Sequence, residues 1–311
     1  MSGTLARALR RLLALELGLY LAVGAGLVWA RGWSAGSAVL FAVGCALVVR
    51  IGFGLATYAL AWWWRSTVPA SGRIGPIALI GHVAAEIAAI VAAYAVLQPF
   101  ERAWMGATGP ALQPGARLPV LLVHGYVCNR AVWRPLVRAL GARGEPVHAM
   151  SFEPIYGGID LWVPQLAACI DELLVASGRE RVVLVTHSMG GLAVRAYLRA
   201  HGGAKVARAI TLGAPHHGSM HAHLGAGANA RQMEPGSPWL TALAAAENSG
   251  VAAPLVSIYS HHDDFVAPQA SAAHPHAHNV GLAGVGHLAM LFSRPVHGLI
   301  AREIDAANAS R

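Results

Sequence analysis

Charged residues are scarce in this chain. They make up 12% of its 311 residues, whereas 55% are hydrophobic, and the mean hydropathy is +0.48. Soluble domains carry about 25% charged residues, so the shortage predicts that part of the chain lies in a membrane. The formal net charge is +8, but no segment is densely basic, and we therefore expect no nucleic-acid partner.

Cysteine is also scarce, with three residues in the chain. Cys45, Cys128 and Cys169 lack the paired spacing of zinc sites and allow one disulfide at most. Cys128 and Cys169 could pair in an oxidising compartment, but we expect two reduced, buried thiols. The histidine-rich patches 216–223 and 261–278 could bind a metal. Because no carboxylate or thiolate spacing accompanies them, we predict neither a metal nor another cofactor.

Three long apolar runs lie within residues 1–100, at positions 12–30, 37–64 and 74–97. Each is long enough to cross a bilayer core, which requires about 20 helical residues. The first run resembles a secretory signal, but the two runs after it favour a retained membrane anchor over cleavage. A buried helical domain is the alternative, although the runs lack the polar stripe of an amphipathic helix. Residues 101–117 are predicted to form a linker.

Two ionisable side chains interrupt the later runs, Arg50 in the second and Glu86 in the third. A charge inside a bilayer is costly and usually faces neighbouring helices or a polar partner. We therefore consider Glu86 a candidate partner for Arg50.

Arginines in the short loops predict the orientation of the spans. Three arginines precede the first run and two lie between the second and third, whereas Arg31 alone lies between the first and second. The five are Arg7, Arg10, Arg11, Arg65 and Arg73. The positive-inside rule then predicts a cytoplasmic N-terminus, and three crossings of a bacterial inner membrane put everything after Pro99 in the periplasm. Miscounting the spans by one would reverse this assignment.

Residues 118–311 show short apolar runs that alternate with helical stretches. The predicted strands occupy positions 118–123, 146–152, 182–186, 206–212, 255–259 and 279–282. The predicted helices occupy positions 131–142, 159–176, 190–201 and 295–306. This alternation is typical of an α/β domain with a mostly parallel sheet covered by helices on both faces. The segment 216–250 interrupts it, and insertions of this kind often form lids.

A serine follows the third predicted strand, in the sequence Thr186-His187-Ser188-Met189-Gly190-Gly191. A buried strand, a tight turn with serine at its apex and a helix opened by small residues form a nucleophile elbow, whose usual pattern is G-x-S-x-G. Thr186 replaces the first glycine but is still compact. We therefore predict that Ser188 is a nucleophile.

A serine hydroxyl attacks efficiently only when a neighbouring base accepts its proton. His287 is our candidate for this base because it lies in a glycine-rich loop after the last predicted strand. The acid that orients the base is expected between the serine and the histidine in the chain. Only Asp263 and Asp264 follow the fifth predicted strand closely. The D-x-x-V spacing favours Asp263, and Asp264 is the alternative.

Two backbone amides are expected to form an oxyanion hole beside the nucleophile. The loop His124-Gly125-Tyr126 follows the first predicted strand and should supply one N–H group, and the residue after the serine should supply the other. We predict Tyr126 and Met189 as the donors. His124 is expected to orient the loop rather than to transfer protons.

Four motifs together resemble bacterial triacylglycerol lipases and esterases. They are His124-Gly125-Tyr126, Thr186-His187-Ser188-Met189-Gly190-Gly191, Thr211-Leu212-Gly213-Ala214-Pro215-His216-His217-Gly218-Ser219 and Gly286-His287. The resemblance covers about residues 118–292 and implies an α/β-hydrolase fold and a carboxylic-ester hydrolase that works through an acyl-enzyme. It also implies a triad of Ser188, Asp263 and His287.

The resemblance further implies a substrate cleft beside the segment 215–218. We assign His124, His187, His216 and His217 to the substrate site. A lipid or other ester is the expected partner, because the apolar anchor would hold the domain at a membrane. Acyl transfer to an acceptor other than water would use the same residues. A non-catalytic membrane-bound binding module is a further alternative, but the full set of nucleophile, base, acid and oxyanion loop argues against it.

Overall fold

Long apolar helices form the first part of the chain. The computed structural model describes residues 3–106 and 115–310. The N-terminal helices are α1 Thr4–Arg31, α2 Ala35–Trp63, α3 Pro76–Val91 and α4 Glu101–Met105. Three segments are helical, long and apolar enough to cross a membrane: Thr4–Arg31, Ala35–Trp63 and Pro76–Met105. The prediction of a three-helix candidate membrane region is thereby confirmed at the level of length and composition.

Helices α1 and α2 form an antiparallel hairpin. Gly32 ends α1 in a left-handed conformation with φ 64°, and Ser34 begins α2 by accepting a hydrogen bond from the Ser37 amide at 3.1 Å. Further along the hairpin, Arg50 pairs with Glu16, with Nη2 and Oε2 2.6 Å apart. The suggested pairing of Arg50 with Glu86 is therefore wrong. In the antiparallel hairpin Glu16 lies opposite Arg50, whereas Glu86 faces the C-terminal domain.

The third apolar run packs against the C-terminal domain. After α3 the chain continues through a π-helical segment, Ala92–Leu97, and a 3-10 turn, Gln98–Phe100. Ala89, Ile90, Ala93 and Leu97 belong to the same buried core as the strands that follow. One face of this run is therefore covered by protein. The predicted linker 101–117 begins as helix α4, and its positions 107–114 lie outside the described residues.

Six parallel strands form the sheet of the C-terminal domain. Their order across the sheet is β2-β1-β3-β4-β5-β6, and every neighbouring pair is parallel. The bounds are β1 Val120–Val123, β2 Val147–Met150, β3 Val182–His187, β4 Val206–Leu212, β5 Leu255–Ser260 and β6 His278–Leu282. The predicted mostly parallel sheet is confirmed, and each strand overlaps one of the predicted runs.

Helices cover both faces of the sheet and create two cores. Along β3, Val183 and Val185 belong to one core, and Val182 and Leu184 belong to the other. This alternation explains why the strand is apolar at every one of these positions, since both faces are buried. The helices are α5 Arg134–Gly141, α6 Val163–Ser177, α7 Met189–His201, α8 Ala228–Gln232, α9 Pro238–Ala245 and α10 Arg294–Ala309.

Candidate active site

Ser188 stands at a sharp turn between β3 and α7. Its backbone has φ 55° and ψ −130°, and such a positive φ is strained for a residue with a side chain. The Ser188 amide donates to the Leu212 carbonyl at 2.8 Å, which fixes the turn against β4. Gly190 passes so close to β1 that an added Cβ would lie 2.6 Å from the Val123 carbonyl oxygen. The turn has the geometry of a nucleophile elbow.

Thr186 occupies the position at which the usual elbow has a glycine. It is fully buried, and its hydroxyl has no hydrogen-bond partner in the described part of the chain. The neighbouring Gly191 is required by a different residue. An added Cβ at Gly191 would lie 2.6 Å from the Ala214 Cβ, whereas its distance of 3.4 Å to the Thr186 hydroxyl would be an ordinary van der Waals contact. The turn therefore holds Thr186 without a clash at Gly191.

The Asp263 carboxylate holds the imidazole of His287. Its Oδ2 lies 2.8 Å from His287 Nδ1, and its Oδ1 accepts hydrogen bonds from the amides of Phe265 and Val266 at 2.9 and 2.7 Å. Burial acts to lower the pKa of His287. The charge and hydrogen bond of Asp263, followed by the charge of Asp264, outweigh that effect, so the pKa of His287 lies above its usual value.

Ser188 and His287 line one cavity of about 480 Å³, which we call the Ser188 cavity. Within residues 3–106 and 115–310, His287 makes hydrogen bonds with His187, Asp263 and Asp264. None joins it to the Ser188 hydroxyl, and such contacts are commonly long before substrate binds. The wall is mostly apolar. It includes Phe53, Ala56, Leu60, Leu224, Met233 and Phe265.

The two residues predicted to supply the oxyanion hole belong to segments close to Ser188: Met189 follows it in the chain, and a Cβ added at Gly125, next to Tyr126, would lie 2.7 Å from the Ser188 Cβ. Met189 is the first residue of α7, and an N–H group in the first turn of a helix has no acceptor within that helix. Tyr126 lies on the wall of the Ser188 cavity. The Tyr126 hydroxyl donates to the Ala226 carbonyl and accepts from the Ala226 amide, both at 2.7 Å. This side chain therefore ties the loop after β1 to the 216–250 insertion.

The domain that carries this site is similar to known proteins. Residues 119–264 match the family model of the alpha/beta hydrolase fold. The C-terminal domain has the α/β-hydrolase fold. Triacylglycerol lipases of Pseudarthrobacter phenanthrenivorans and Burkholderia plantarii are each 32% identical to the chain over 111 residues, which are 33% of this chain and 34% and 31% of those proteins. The chain thus spans about a third of the length of these curated relatives.

Solved lipase structures share the fold of the hydrolase domain. The mature form of a Bacillus licheniformis lipase superposes with a TM-score of 0.56 at 19% identity, over 63% of this chain and 96% of the lipase. Aspergillus fumigatus lipase B gives a TM-score of 0.55 at 19% identity, over 66% of this chain and 57% of that structure. At these identities the likeness shows the fold alone. The predicted α/β-hydrolase fold and the resemblance to lipases and esterases are confirmed.

The four histidines assigned to the substrate site occupy different places. Within the described residues, the wall of the Ser188 cavity includes His187 but not His124, His216 or His217. His187 Nε2 lies 3.1 Å from the His287 carbonyl oxygen, so the His187 ring supports the loop of the catalytic histidine candidate. We do not propose contact with substrate for the other three.

The rings of His124 and His216 make hydrogen bonds inside the domain. The His124 Nε2 accepts from the Phe152 amide at 3.0 Å, so its Nδ1 carries the proton and donates to the Gly125 carbonyl at 2.9 Å. Burial lowers the pKa of His124 to about 4, which keeps this ring neutral. His216 Nε2 lies 3.1 Å from the Thr211 hydroxyl. His217 is exposed at the surface of the same segment.

Asp264, the alternative acid, turns away from the imidazole of His287 toward the N-terminal helices. Its Oδ2 lies 2.7 Å from the Thr57 hydroxyl of α2, and its Oδ1 accepts from the His287 backbone amide at 3.2 Å. Burial, followed by the charge of Asp263, raises the pKa of Asp264 to about 6. The structure thus gives the two aspartates separate positions: Asp263 at the imidazole and Asp264 behind the loop.

The Thr57 hydroxyl has two oxygen neighbours at the same distance. The Gly54 carbonyl and Asp264 Oδ2 both lie 2.7 Å from it, yet a hydroxyl has a single proton to donate. Both contacts become hydrogen bonds when Asp264 is protonated and donates to Thr57, which then donates to Gly54. When Asp264 is ionised, Thr57 donates to one of the two oxygens. The raised pKa of Asp264 agrees with the first arrangement being accessible near neutral pH.

Glu86 of α3 holds the segment after His287. This fully buried carboxylate accepts hydrogen bonds from the Leu288 amide at 2.8 Å and the Ala289 amide at 2.7 Å. A Cβ added at Gly286 would overlap the same carboxylate, so only glycine fits there. In the sequence Glu86 is an unusual charge in an apolar run, but its partners lie about 200 residues later and cannot be identified from spacing.

Two further expectations concern cysteines and metals. Cys128 and Cys169 are free thiols, and they pack against the two different cores of the sheet. Among the residues that the structure describes, no group of three or more histidine, cysteine, aspartate or glutamate side chains could hold a metal ion. The histidine patches instead make ring contacts and hydrogen bonds within the domain, as between His216 and His274, whose ring centres are 5.0 Å apart.

Proposed function

We propose that this protein is a serine hydrolase that cleaves carboxylic esters with apolar acyl chains through an acyl-enzyme. The observation that carries the proposal is the joint presence of a strained Ser188, the Asp263–His287 pair and a mostly apolar wall in one cavity. The similarity to triacylglycerol lipases over 111 residues supports the same class of reaction. An apolar cavity favours an acyl chain over a charged substrate, because burying a charge without a partner is costly.

In the proposed reaction the Ser188 Oγ attacks the ester carbonyl carbon while His287 Nε2 accepts the hydroxyl proton. Asp263 holds the Nδ1 proton and stabilises the imidazolium that forms. The amides of Tyr126 and Met189 donate to the oxyanion. His287 then protonates the leaving alcohol, and the acyl-enzyme remains. Water, deprotonated by His287, attacks the acyl-enzyme, and the carboxylic acid leaves as Ser188 regains its proton.

We propose that the insertion covers the acyl site. Segment 216–250 contributes Leu224 and Met233 to the cavity wall, and the Leu224 side chain is 68% exposed at its edge. The Tyr126–Ala226 hydrogen bonds join the insertion to the oxyanion loop. A substrate held under the insertion would therefore lie directly beside the predicted oxyanion amides.

The test is activity-based labelling of the full-length protein with a fluorophosphonate, together with hydrolysis of p-nitrophenyl acyl esters. Ser188→Ala is expected to abolish labelling and to reduce hydrolysis by a factor on the order of 10⁴ or more, because the nucleophile is lost. Ser249→Ala removes an exposed serine of the same domain and should label and hydrolyse like the wild type. Hydrolysis that survives Ser188→Ala unchanged would exclude the mechanism.

A further inference from the structure

The α1–α2 hairpin contacts the rest of the protein at its two ends. At the start of α1, the Thr4 amide donates to Glu153 Oε1 at 2.9 Å. Just after α2, the Ser66 amide donates to Gln269 Oε1 at 3.0 Å, and near the end of α2 Thr57 contacts Asp264. The start of α1 and the end of α2 therefore lie on the same side, against the hydrolase domain.

Between those ends the hairpin projects away from the domain. Positions 12–31 and 35–52 include one buried residue, Gly24, which is covered by Ala38 of the partner helix. The outward side chains are apolar, for example Leu15 at 71% and Leu40 at 74% exposure. At 1.5 Å per residue these stretches are about 27–30 Å long, which matches the bilayer hydrocarbon thickness of about 30 Å. This exposed apolar surface therefore fits the hydrocarbon core of a bilayer.

Aromatic residues mark both boundaries of that stretch. Trp29 and Trp33 lie at the turn of the hairpin, and Trp62 and Trp63 lie at the domain end, with exposures of 90, 38, 64 and 83%. The helical rise from Trp33 to Trp62 is about 44 Å, close to the roughly 40–45 Å of a bilayer with its headgroup regions. Tryptophan is enriched at such interfaces. The hairpin thus carries an aromatic belt at each end.

The third apolar run does not leave the domain. Beside its start, Ile74 lies next to Gly284, in its middle Glu86 accepts from Leu288, and at its end Gln98 Oε1 accepts from the Asn129 amide at 2.9 Å. Although positions 75–81 are exposed, the run is held to the hydrolase domain beside its start, in its middle and at its end. A helix held in this way does not carry that domain across the bilayer.

We propose that α1 and α2 alone cross the membrane, as a hairpin, and that the hydrolase domain lies on the cytoplasmic face. Two crossings return the chain to the side of its N-terminus. The arginines at the start of α1 and after α2 then flank the domain side, whereas Arg31 alone is near the far turn. The positive-inside rule therefore makes the domain side cytoplasmic. This assignment replaces the periplasmic one expected from three crossings.

The hairpin also determines where the Ser188 cavity lies relative to the lipid. Phe53, Thr57 and Leu60 of α2 line the cavity, and they directly follow the bilayer-length stretch 35–52. The cavity therefore lies at the depth of the cytoplasmic headgroup region. The substrate class rests on the proposed function: it is an ester lipid of the cytoplasmic leaflet, and its acyl chain enters along α2.

Cysteine labelling in the full-length protein tests the topology. Gly36→Cys places a thiol at the far turn, and Ser249→Cys places one on the hydrolase surface, both at exposed positions. Spheroplasts of a Gram-negative host are treated with a membrane-impermeant maleimide before and after lysis. The proposal expects the first thiol to react in intact spheroplasts and the second to react only after lysis. The parent protein, whose own cysteines are buried or half-buried, gives the background.

Every other labelling pattern overturns the proposal. Reaction of both thiols in intact spheroplasts indicates three crossings, reaction of the Ser249 position alone indicates inverted insertion, and reaction of neither indicates that the hairpin does not cross. A charged fluorophosphonate should in addition label Ser188 in inside-out but not in right-side-out vesicles. If the maleimide pattern holds and neither vesicle labels, the topology stands and the proposed function fails.

Discussion

Glu86→Ala offers a direct test of the link between the N-terminal helices and the active site. The substitution leaves the buried amides of Leu288 and Ala289 without acceptors. A buried N–H group left unpaired costs about 1–3 kcal/mol, so the two together cost roughly 2–6 kcal/mol. Loss of the repulsion between Glu86 and Asp264, which are both buried carboxylates, offsets part of this. We expect the free energy of unfolding to fall by about 3 kcal/mol.

Glu86→Gln should fall between the wild type and Glu86→Ala. Its amide oxygen can accept from one of the two N–H groups, whereas its NH₂ group faces the other. The same order is expected for the rate of fluorophosphonate labelling, because the segment that loses its acceptors carries His287. Denaturant unfolding in detergent micelles gives the stability, and labelling well below the unfolding midpoint gives the reactivity of folded protein.

Glu172→Ala is the matched control, because Glu172 is an exposed glutamate on helix α6. It should change the free energy of unfolding by less than about 0.5 kcal/mol and should leave labelling unaltered. If Glu86→Ala behaves like this control in both measurements, the Glu86 carboxylate does not hold the His287 segment, and the reasoning is refuted.

Three other measurements bear on the site. Asp263→Asn should lower kcat by roughly 10⁴-fold, as loss of the tautomer-holding carboxylate does in other triads; a loss below tenfold would remove Asp263 from the triad. Asp264→Asn should keep most activity but move the acid limb of the kcat/KM profile to lower pH. The charge of Asp264 raises the pKa of His287, which must be neutral to act as a base, so an unmoved or upward-shifted limb contradicts that coupling. Leu60→Trp should narrow the cavity beside α2 and lower kcat/KM for long-chain esters about tenfold more than for acetate esters; an equal effect on both would place the acyl site elsewhere.

Local sequence patterns were sufficient to predict the sheet and the elbow. β3 is apolar at each of its first four positions because both of its faces are buried, and the glycines after Ser188 are required by contacts with β1 and with Ala214. These requirements act within a few residues or one strand pair. They therefore leave a signal that can be recognised without coordinates.

The contacts between the helical region and the active site left no such signal. Glu86 and Leu288 are 202 positions apart, and a glutamate in an apolar run indicates only that some partner exists. The pairing of Arg50 with Glu16 depends on the register of the hairpin, which residue spacing alone did not specify. The proposed number of crossings depends on contacts of the same kind, because hydropathy measures how apolar α3 is, but not whether lipid or protein covers it.

The Glu86 contact also has a consequence for when, during its own synthesis, the protein can complete the proposed active site. About 200 residues separate the carboxylate from the amides that it binds, and at about 5–20 residues per second a ribosome needs roughly 10–40 s to make them. Throughout that interval the hairpin is already complete, whereas the segment bearing His287 has yet to emerge. Under the proposed function, an abandoned or prematurely released chain that lacks the His287 segment would thus remain inert, and the protein would be unable to attack lipid before that segment is made.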